Sequence, residues 1–370
     1  MRIVVTGGDG FIGRNLRVRL REVGYTDVTS ITRATSVAAV RTALAEADFV
    51  FHLAGVNRPK EVSEFGQGNA GVTEALCAAL AAGGRRTPVV YASSIQAALD
   101  NPYGRSKRSG EQALEGYGQA TGAPVFVLRL PNVFGKWCRP NYNSVVATFC
   151  HNIARGLPIT IHDPDAELRL VYVDDVVAGM IHLLDPAEAR SGFVDVGPTY
   201  ATTVGEVSAI LQVFPESRRT LVMPPVGMGL HRALYATYLS YLPPADFAYD
   251  LKRHTDPRGV FVEMLKTPES GQVSYFTAPP GVTRGEHYHH TKAEKFLVVM
   301  GTARFGFRHI MTGERHELII DSDAARVVET VPGWAHNITN IGSDEMIVML
   351  WASECFDPQQ PDTIPSKVDE

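Results

Sequence analysis

Thr6-Gly7-Gly8-Asp9-Gly10-Phe11-Ile12-Gly13 decides the fold of this chain. Before it stands Ile3-Val4-Val5, an apolar run that reads as a first buried strand. After it, Asn15-Leu16-Arg17-Val18-Arg19-Leu20 reads as a helix. Strand, glycine turn and helix form the setting that binds a dinucleotide. Gly7 allows the tight turn, Gly10 lets backbone approach a pyrophosphate, and Gly13 lets the helix pack close on the strand. The helix N-terminus offers free N–H groups and a positive dipole end to the phosphates. A glycine-rich turn without a ligand is the plainer reading, but the position directly after a first strand favours a nucleotide. Thr6, Gly7, Gly10, Phe11, Ile12 and Gly13 are therefore candidate cofactor residues.

Outward from this loop, strands and helices alternate. Val28–Arg33 reads as strand two. An acidic residue about 20 positions past the glycines would bind the ribose 2′-OH of NAD. Here stand Thr32 and Arg33, with no carboxylate, and an Arg suits a 2′-phosphate, so NADP is expected. Asp48–Gly55 is a third strand running into a turn of small residues. Val72–Ala82 is an Ala-rich helix, and Pro88–Ala92 is strand four. Such alternation argues for a parallel sheet with helices on both faces. Ligands then sit beyond the carboxyl ends of the strands, where Ser93 and Ser94 lie.

The chain has 370 residues, too many for one ordinary domain. A hydrophobic fraction of 45% and a charged fraction of 20% are those of a globular protein. A net charge of −5 gives no reason to expect nucleic acid. No apolar run approaches the ~20 residues of a membrane span, and no leader pattern precedes the first strand. Neither membrane insertion nor a signal peptide is expected. Cys77, Cys138, Cys150 and Cys355 lack a metal-type spacing and read as free thiols in a reducing cytoplasm.

Asn101-Pro102 opens a helix, Asn as cap and Pro in the first turn. Tyr103 and Lys107 are four apart on it and share a face. Reducing a ketone by hydride requires a proton at its oxygen, and a Tyr hydroxyl can give it when its pKa is drawn toward neutrality. A Lys cation one turn away stabilises the phenolate. A Ser hydroxyl at the strand end can hold the carbonyl oxygen, and Ser93 and Ser94 both qualify. Tyr-x-x-x-Lys alone is a weak signal that also fits an exposed helix face. Joined to the glycine loop and the paired serines, it is strong.

Beyond about residue 256 helical periodicity fades. Short β-rich runs at Val260–Leu265, Val273–Thr277, Lys295–Met300, Ala303–Phe307, His316–Ile320, Arg326–Thr330 and Met346–Trp351 indicate an all-β sandwich or barrel. Within it stands Gly281-x5-His287-x-His289-x4-Glu294-x6-Gly301, and far along the chain His336 follows Gly333. His287 and His289 are two apart and face one side of a strand. Glu294 returns through a turn, and His336 is expected from a facing strand. Three imidazoles and a carboxylate suit a divalent transition metal. His290 falls on the opposite face and is excluded.

The glycine loop, the serines and Tyr103-x-x-x-Lys107 resemble the extended short-chain dehydrogenase/reductase family of nucleotide-sugar epimerases, dehydratases and reductases. His52-Leu53-Ala54-Gly55 resembles its cofactor-side turn, and Arg129-Leu130-Pro131-Asn132-Val133-Phe134-Gly135 its substrate-side motif. Arg169 with Val173-Asp174-Asp175 resembles the segment where an Arg holds a sugar-nucleotide diphosphate. The resemblance covers about residues 1–240. It implies Ser94, Tyr103 and Lys107 as catalytic residues. Leu53, Ala54 and Gly55, together with Lys107, fall at the cofactor, and Ser93, Asn132 and Arg169 at the substrate. Ile95 and Gln96 replace the Asp-Glu of the dehydratases, so 4,6-dehydration is not expected.

The histidine motifs resemble the cupin superfamily, and Asp256-Pro257-Arg258-Gly259 with Phe261 resembles the opening segment of sugar-epimerising cupins. The combination resembles the bifunctional capsular polysaccharide enzymes of the CapF type across essentially the whole chain, including Phe356-Asp357-Pro358 and Gln360-Pro361-Asp362-Thr363. The resemblance implies an α/β Rossmann-type parallel-sheet domain at 1–243, a linker at 244–256 and an all-β cupin barrel at 257–370. It implies a UDP-4-keto-6-deoxy-N-acetylhexosamine substrate, C3 epimerisation by the cupin, and reduction of the C4 ketone with NADPH. These steps lie on the route to UDP-N-acetyl-L-fucosamine. The implied metal is zinc, which either stabilises an enolate or holds the fold, and a homodimer is expected. The alternative is a cofactor-retaining nucleotide-sugar 4-epimerase with a cupin that only senses ligand or dimerises.

Overall fold

A computed structural model describes residues 1–185, 190–359 and 361–370. Gln360 of the tail motif lies outside these. The chain runs β1 (Ile3–Thr6), α1 (Phe11–Glu22), β2 (Val28–Ile31), α2 (Val37–Glu46), β3 (Phe49–His52), α3 (Val72–Ala82), β4 (Val89–Ser94), α4 (Pro102–Thr121), β5 (Val125–Leu130) and β6 (Asn132–Phe134). Then come α5 (Val145–Ile153), β7 (Glu167–Tyr172), α6 (Val173–His182), β8 (Gly192–Phe193), β9 (Thr199–Thr203), α7 (Val204–Thr220) and α8 (Gly229–Leu239). β2-β1-β3-β4-β5-β8 form one sheet, parallel throughout. β1, β3 and β4 bury nearly every residue, because helices cover both faces. The strand order reverses between β1 and β3, and their carboxyl ends carry Gly7 and Leu53–Gly55. Such a switch point leaves a crevice for ligands.

The rest is all-β: β10 (Arg253–Asp256), β11 (Gly259–Thr267), β12 (Gly271–Ala278), β13 (Thr283–Tyr288), β14 (Glu294–Met300), β15 (Thr302–His309), β16 (Arg315–Asp321), β17 (Val327–Glu329), β18 (Trp334–Asn340), β19 (Met346–Ala352) and β20 (Ile364–Pro365). Two antiparallel sheets, β10-β11-β12-β19-β14-β17 and β16-β15-β18-β13-β20, enclose a core that includes Phe276, Phe296, Phe305, Phe307, Ile338 and Val348. The seven β-rich runs expected from the sequence each fall on one of these strands. The architecture is a cupin-like barrel.

By its internal packing the chain divides into two compact units, Met1–Leu211 with Met228–Pro243, and Gln212–Gly227 with Pro244–Glu370. Two details differ from the linear division expected at 243 and 256. Gln212–Gly227 packs with the barrel: Met223 N–H donates to the Lys266 carbonyl at 2.8 Å, and Lys266 N–H to that of Leu221 at 2.7 Å. Arg253–Asp256, expected as linker, is an edge strand paired with Gly259–Val262. Its residues Arg-His-Thr-Asp are exposed and polar, as suits an edge, so no apolar alternation announces it.

Candidate active site and metal centre

The cofactor loop is shaped by contacts that only glycine tolerates. Gly7 has φ +69°, and a Cβ there would lie 2.8 Å from the Ala54 nitrogen. A Cβ at Gly13 would lie 2.4 Å from the Gly7 carbonyl oxygen. Gly10 caps α1 with no side-chain bond, which leaves the first N–H groups of the helix open. Gly7, Gly10, Phe11, Ile12, Gly13, Leu53 and Gly55 line one large cleft with Ser93, Ser94, Tyr103, Lys107 and Asn132. Its volume is about 1030 Å³. That is at the top of the ~300–1,000 Å³ range of ligand sites.

Thr6 does not point into this cleft. Its hydroxyl stands 2.7 Å from His52 Nδ1 and accepts the Ala54 N–H at 3.2 Å. His52 Nε2 reaches the Thr73 hydroxyl at 2.9 Å, and Thr73 donates to the Asn69 carbonyl at 2.8 Å. The chain of donors fixes the tautomer: Thr73 must accept from Nε2–H, so Nδ1 accepts from Thr6. Burial, with Lys107 adding to it, pushes His52 down to about 3, so this ring stays neutral and structural. Asn69 completes the turn. Its amide bonds both the N–H and the carbonyl of Val56 and donates to Ser106 at 3.0 Å. It lies in a π-helical turn, Gly66–Gly71, just before α3. Sequence reading missed it, and the glycine density around it was the only signal.

The path from the serines to Tyr103 is set locally. Ser94 caps a 3-10 turn, Ile95–Ala98, by accepting the Gln96 N–H. Asn101 then caps α4 by accepting from Gly104 at 2.8 Å. A Cβ at Gly104 would lie 2.1 Å from the Gln96 carbonyl oxygen, so turn and helix are in direct contact. This brings the Ser94 hydroxyl to Tyr103. Burial pushes the Tyr103 phenol up, and a hydrogen bond with Ser94 pulls it the other way. Lys107 is buried beneath them. Its ammonium donates to the Ala92 carbonyl at 2.8 Å and lies 4.8 Å from the centre of the Tyr91 ring. A Cβ at Gly55 would be 3.4 Å from Lys107 Nζ, so this cation faces the cofactor-side turn. Burial, opposed by Glu111, pushes Lys107 down to about 8.

The two serines separate. Ser93, expected on the substrate, gives its hydroxyl to Glu111 at 2.5 Å. Glu111 is buried and also takes two bonds from Arg129, at 3.0 and 2.6 Å. Ser93 thus lines the cleft with its hydroxyl already given to a buried network. Arg169 also departs from expectation. Leu168 and Leu170 line the cleft, and alternation along β7 directs Arg169 to the other face of the strand. The cations that do line the cleft are Arg14, Arg58, Lys107 and Arg139, and nothing in one sequence set Arg58 or Arg139 apart from surface arginines. Arg33 is exposed at the end of β2 and is not among the lining residues.

In the barrel, His287, His289, Glu294 and His336 converge with ligand atoms within 4.8 Å of one another. His336 comes from the hydrogen-bonded neighbour of β13, not from a facing strand: it is the cross-strand partner of His287. Glu294 opens β14 in the other sheet, so the cluster ties the two sheets together. β13 ends at Tyr288, and His289 follows it on the same side. His290 is exposed, as expected.

Three features fit a metal. Neither ring nitrogen of buried His336 has a hydrogen-bond partner, although Nε2 lies 3.4 Å from Glu294 Oε2. His289 Nδ1 bonds the Asp362 carbonyl, which only accepts, so in the neutral ring Nδ1 carries the proton. Its Nε2 then turns a lone pair to the Glu294 carboxylate at 3.1 Å, two acceptors facing each other where a cation belongs. Burial, with His336 adding to it, pushes His287 down to about 4 and keeps that ring free to ligate. Burial alone would raise Glu294, and the Lys292 ammonium, 3.4 Å from Oε1, opposes it in favour of the carboxylate.

Beside the cluster is a cavity of about 220 Å³ walled by Phe261, Phe276, Phe296, Phe305 and Phe307. Arg284 lies in its lining, 5.0 Å from the centre of the Phe276 ring, with one guanidinium nitrogen buried and unpartnered. Arg258, held by Asp256, also lines it. Sequence reading did not single out Arg284.

A glycine-loop cleft lined by Ser94, Tyr103 and Lys107, on a parallel α/β sheet, defines a protein of the short-chain dehydrogenase/reductase class, carrying in addition a barrel whose His3Glu group could hold a metal. The family model "NAD dependent epimerase/dehydratase family" matches residues 3–197, and "Polysaccharide biosynthesis C-terminal domain" matches residues 254–364. The chain belongs to the NAD dependent epimerase/dehydratase family, in the CapF-type form with this C-terminal unit. It is 54% identical over 370 residues, 100% of both chains, to a UDP-2-acetamido-2,6-beta-L-arabino-hexul-4-ose reductase of Pseudomonas aeruginosa. The crystal structure of the capsular polysaccharide assembling protein CapF from Staphylococcus aureus matches with a TM-score of 0.93 and 42% identity over 100% of both chains. A UDP-glucose 4-epimerase from Thermotoga maritima shares the fold, with a TM-score of 0.56 and 22% identity over 65% of this chain and 98% of its own.

Proposed function

We propose that this chain is a bifunctional UDP-sugar enzyme: the barrel epimerises C3 of a UDP-4-keto-6-deoxy-N-acetylhexosamine, and the N-terminal unit reduces the C4 ketone with NADPH. The observation that carries the reading is the pairing of two candidate sites in one chain, the Ser94–Tyr103–Lys107 cleft and the His3Glu cavity. A full-length relative named for a hexul-4-ose reductase supports it. The order follows from chemistry. A ketone at C4 acidifies the C3 proton, so C3 must be inverted before C4 is reduced. The product lies on the route to UDP-N-acetyl-L-fucosamine for surface polysaccharide.

In the cleft, the loop Gly7–Gly13 and the turn Leu53–Gly55 would hold the dinucleotide, which supplies the hydride. Ser94 donates to the ketone oxygen, and Tyr103 gives it the proton. Lys107 holds a cation beside the phenol and the cofactor-side turn. That role needs the charged amine, and burial has brought its pKa to about 8. The group loses its charge as pH rises through that value. We therefore expect kcat/KM for reduction to fall above about pH 8, and a flat profile through that region contradicts the role.

NADPH is favoured because Arg33 stands where an NAD site carries an acid. Arg33→Ala is expected to raise KM for NADPH far more than for NADH. Equal use of both cofactors by the parent protein contradicts the preference.

In the barrel, His287, His289, Glu294 and His336 would hold one divalent ion, with zinc the candidate. Such an ion supplies Lewis-acid charge and ties the two sheets. The cavity is below the size of a site for a whole drug-sized ligand, so it takes the sugar ring and leaves the nucleotide outside. The aromatic walls exclude water from that ring, and Arg284 offers its free N–H to an oxygen of the substrate. The experiment that tests the pairing is turnover of a UDP-4-keto sugar with NADPH in deuterated water, with the product read by NMR.

A further inference from the structure

We infer that the segment Asp362–Pro365 is part of the metal centre in energetic terms, so that its docking and metal binding stabilise each other; this rests on the metal reading above. The segment touches three of the four ligands or their neighbours. The Asp362 carbonyl accepts the Nδ1 proton of His289, which sets the tautomer and the aim of that ring. The Thr363 hydroxyl accepts from Lys292 at 3.2 Å, and Lys292 lies 3.4 Å from Glu294 Oε1. Pro365 and Ile364 pair with His287 and Tyr288.

The Asp362 carboxylate explains how the segment is fastened. It accepts from the backbone N–H groups of His290, Thr291 and Lys292 at 2.8, 2.7 and 2.8 Å, and from the Thr291 hydroxyl at 2.9 Å. One side chain thereby closes the loop between His289 and Glu294, the two ligands whose separation a metal must span. The residues that follow hold the other strand. Glu286 has φ +64°, at the bulge that shifts the β13–β18 register just before His287. Ser366 N–H bonds its carbonyl and Val368 N–H its carboxylate, both at 2.9 Å. Groups that orient metal ligands this way commonly change affinity by ~10–100-fold when removed. Coupling between two binding events is reciprocal, so the metal must in turn tighten the segment.

The test uses the full-length protein and zinc alone, with affinity read by competition against a chelator. Asp362→Ala is expected to bind zinc ~10–100-fold more weakly than the parent. Asp362→Asn, which keeps an oxygen acceptor but not the charge, should fall between them and covers the case in which Asp362→Ala does not fold. In the parent, zinc should slow hydrogen exchange at the amides of residues 290–292, 364 and 366–368, and this slowing should be lost in the variant. Unchanged zinc affinity in the folded variants, or exchange in the parent that ignores zinc, overturns the coupling. A parent that binds no zinc overturns the metal reading instead, so the two failures are distinct.

Discussion

Tyr103→Phe is expected to lower kcat for NADPH-dependent reduction by ~10²–10⁴-fold, or about 3–5 kcal/mol of barrier, while the fold survives. The substitution removes one hydroxyl and keeps the ring, whose centre lies 5.6 Å from that of Phe65. What is lost is the group that faces Ser94 at the carboxyl end of β4, and with it the proton for the C4 oxygen. KM for NADPH should change little, because the Gly7–Gly13 loop and the Leu53–Gly55 turn are untouched. C3 exchange should persist in the variant, because the proposed function assigns it to the barrel. The check is steady-state NADPH oxidation beside deuterium uptake at C3. Near-normal oxidation by Tyr103→Phe contradicts its role as the acid.

His336→Ala is expected to show the opposite split. The parent should carry about one divalent ion per chain, and the variant should lose it on dialysis, since three donors replace four. C3 exchange should fall with the metal. The zinc-dependent gain in unfolding temperature should shrink, because an ion bound only to the folded state stabilises it by mass action. Reduction of an already epimerised ketone should stay close to the parent rate, since Tyr103 and its cleft belong to the other unit. Elemental analysis of both proteins tests this directly. A parent without stoichiometric metal, or a variant with full metal content and affinity, shows that the constellation is misread.

Much of this was legible in one sequence because it is local. The glycine loop, the Asn101-Pro102 cap, the i, i+4 pair Tyr103 and Lys107, and the His287-x-His289 step each state their geometry within a few residues. The seven β-rich runs carry their own alternation. What one sequence left undivided depends on partners far away in the chain. Ser93 and Ser94 are equivalent until Glu111 and Arg129 claim the first. Arg169 reads as a substrate cation until the register of β7 assigns the cleft face to Leu168 and Leu170. Thr6 is consumed by His52, and His336 is a neighbour of His287 rather than a facing residue. Strand β10 gives no signal because an exposed edge strand buries no apolar face. Asn69 and Arg284 act through backbone and cavity contacts that no motif records, and the tail motif that holds Asp362 does not tell that its carboxylate grips the backbone of residues 290–292.

The most direct measurement is a single turnover experiment: the full-length protein, a UDP-4-keto-6-deoxy-N-acetylhexosamine and NADPH in deuterated water, with the product examined by NMR. The account predicts solvent deuterium at C3 with inverted configuration, unlabelled hydrogen at C4 delivered from NADPH, and one NADPH oxidised per product. A product that keeps its original hydrogen at C3, or one formed without net consumption of NADPH, contradicts it.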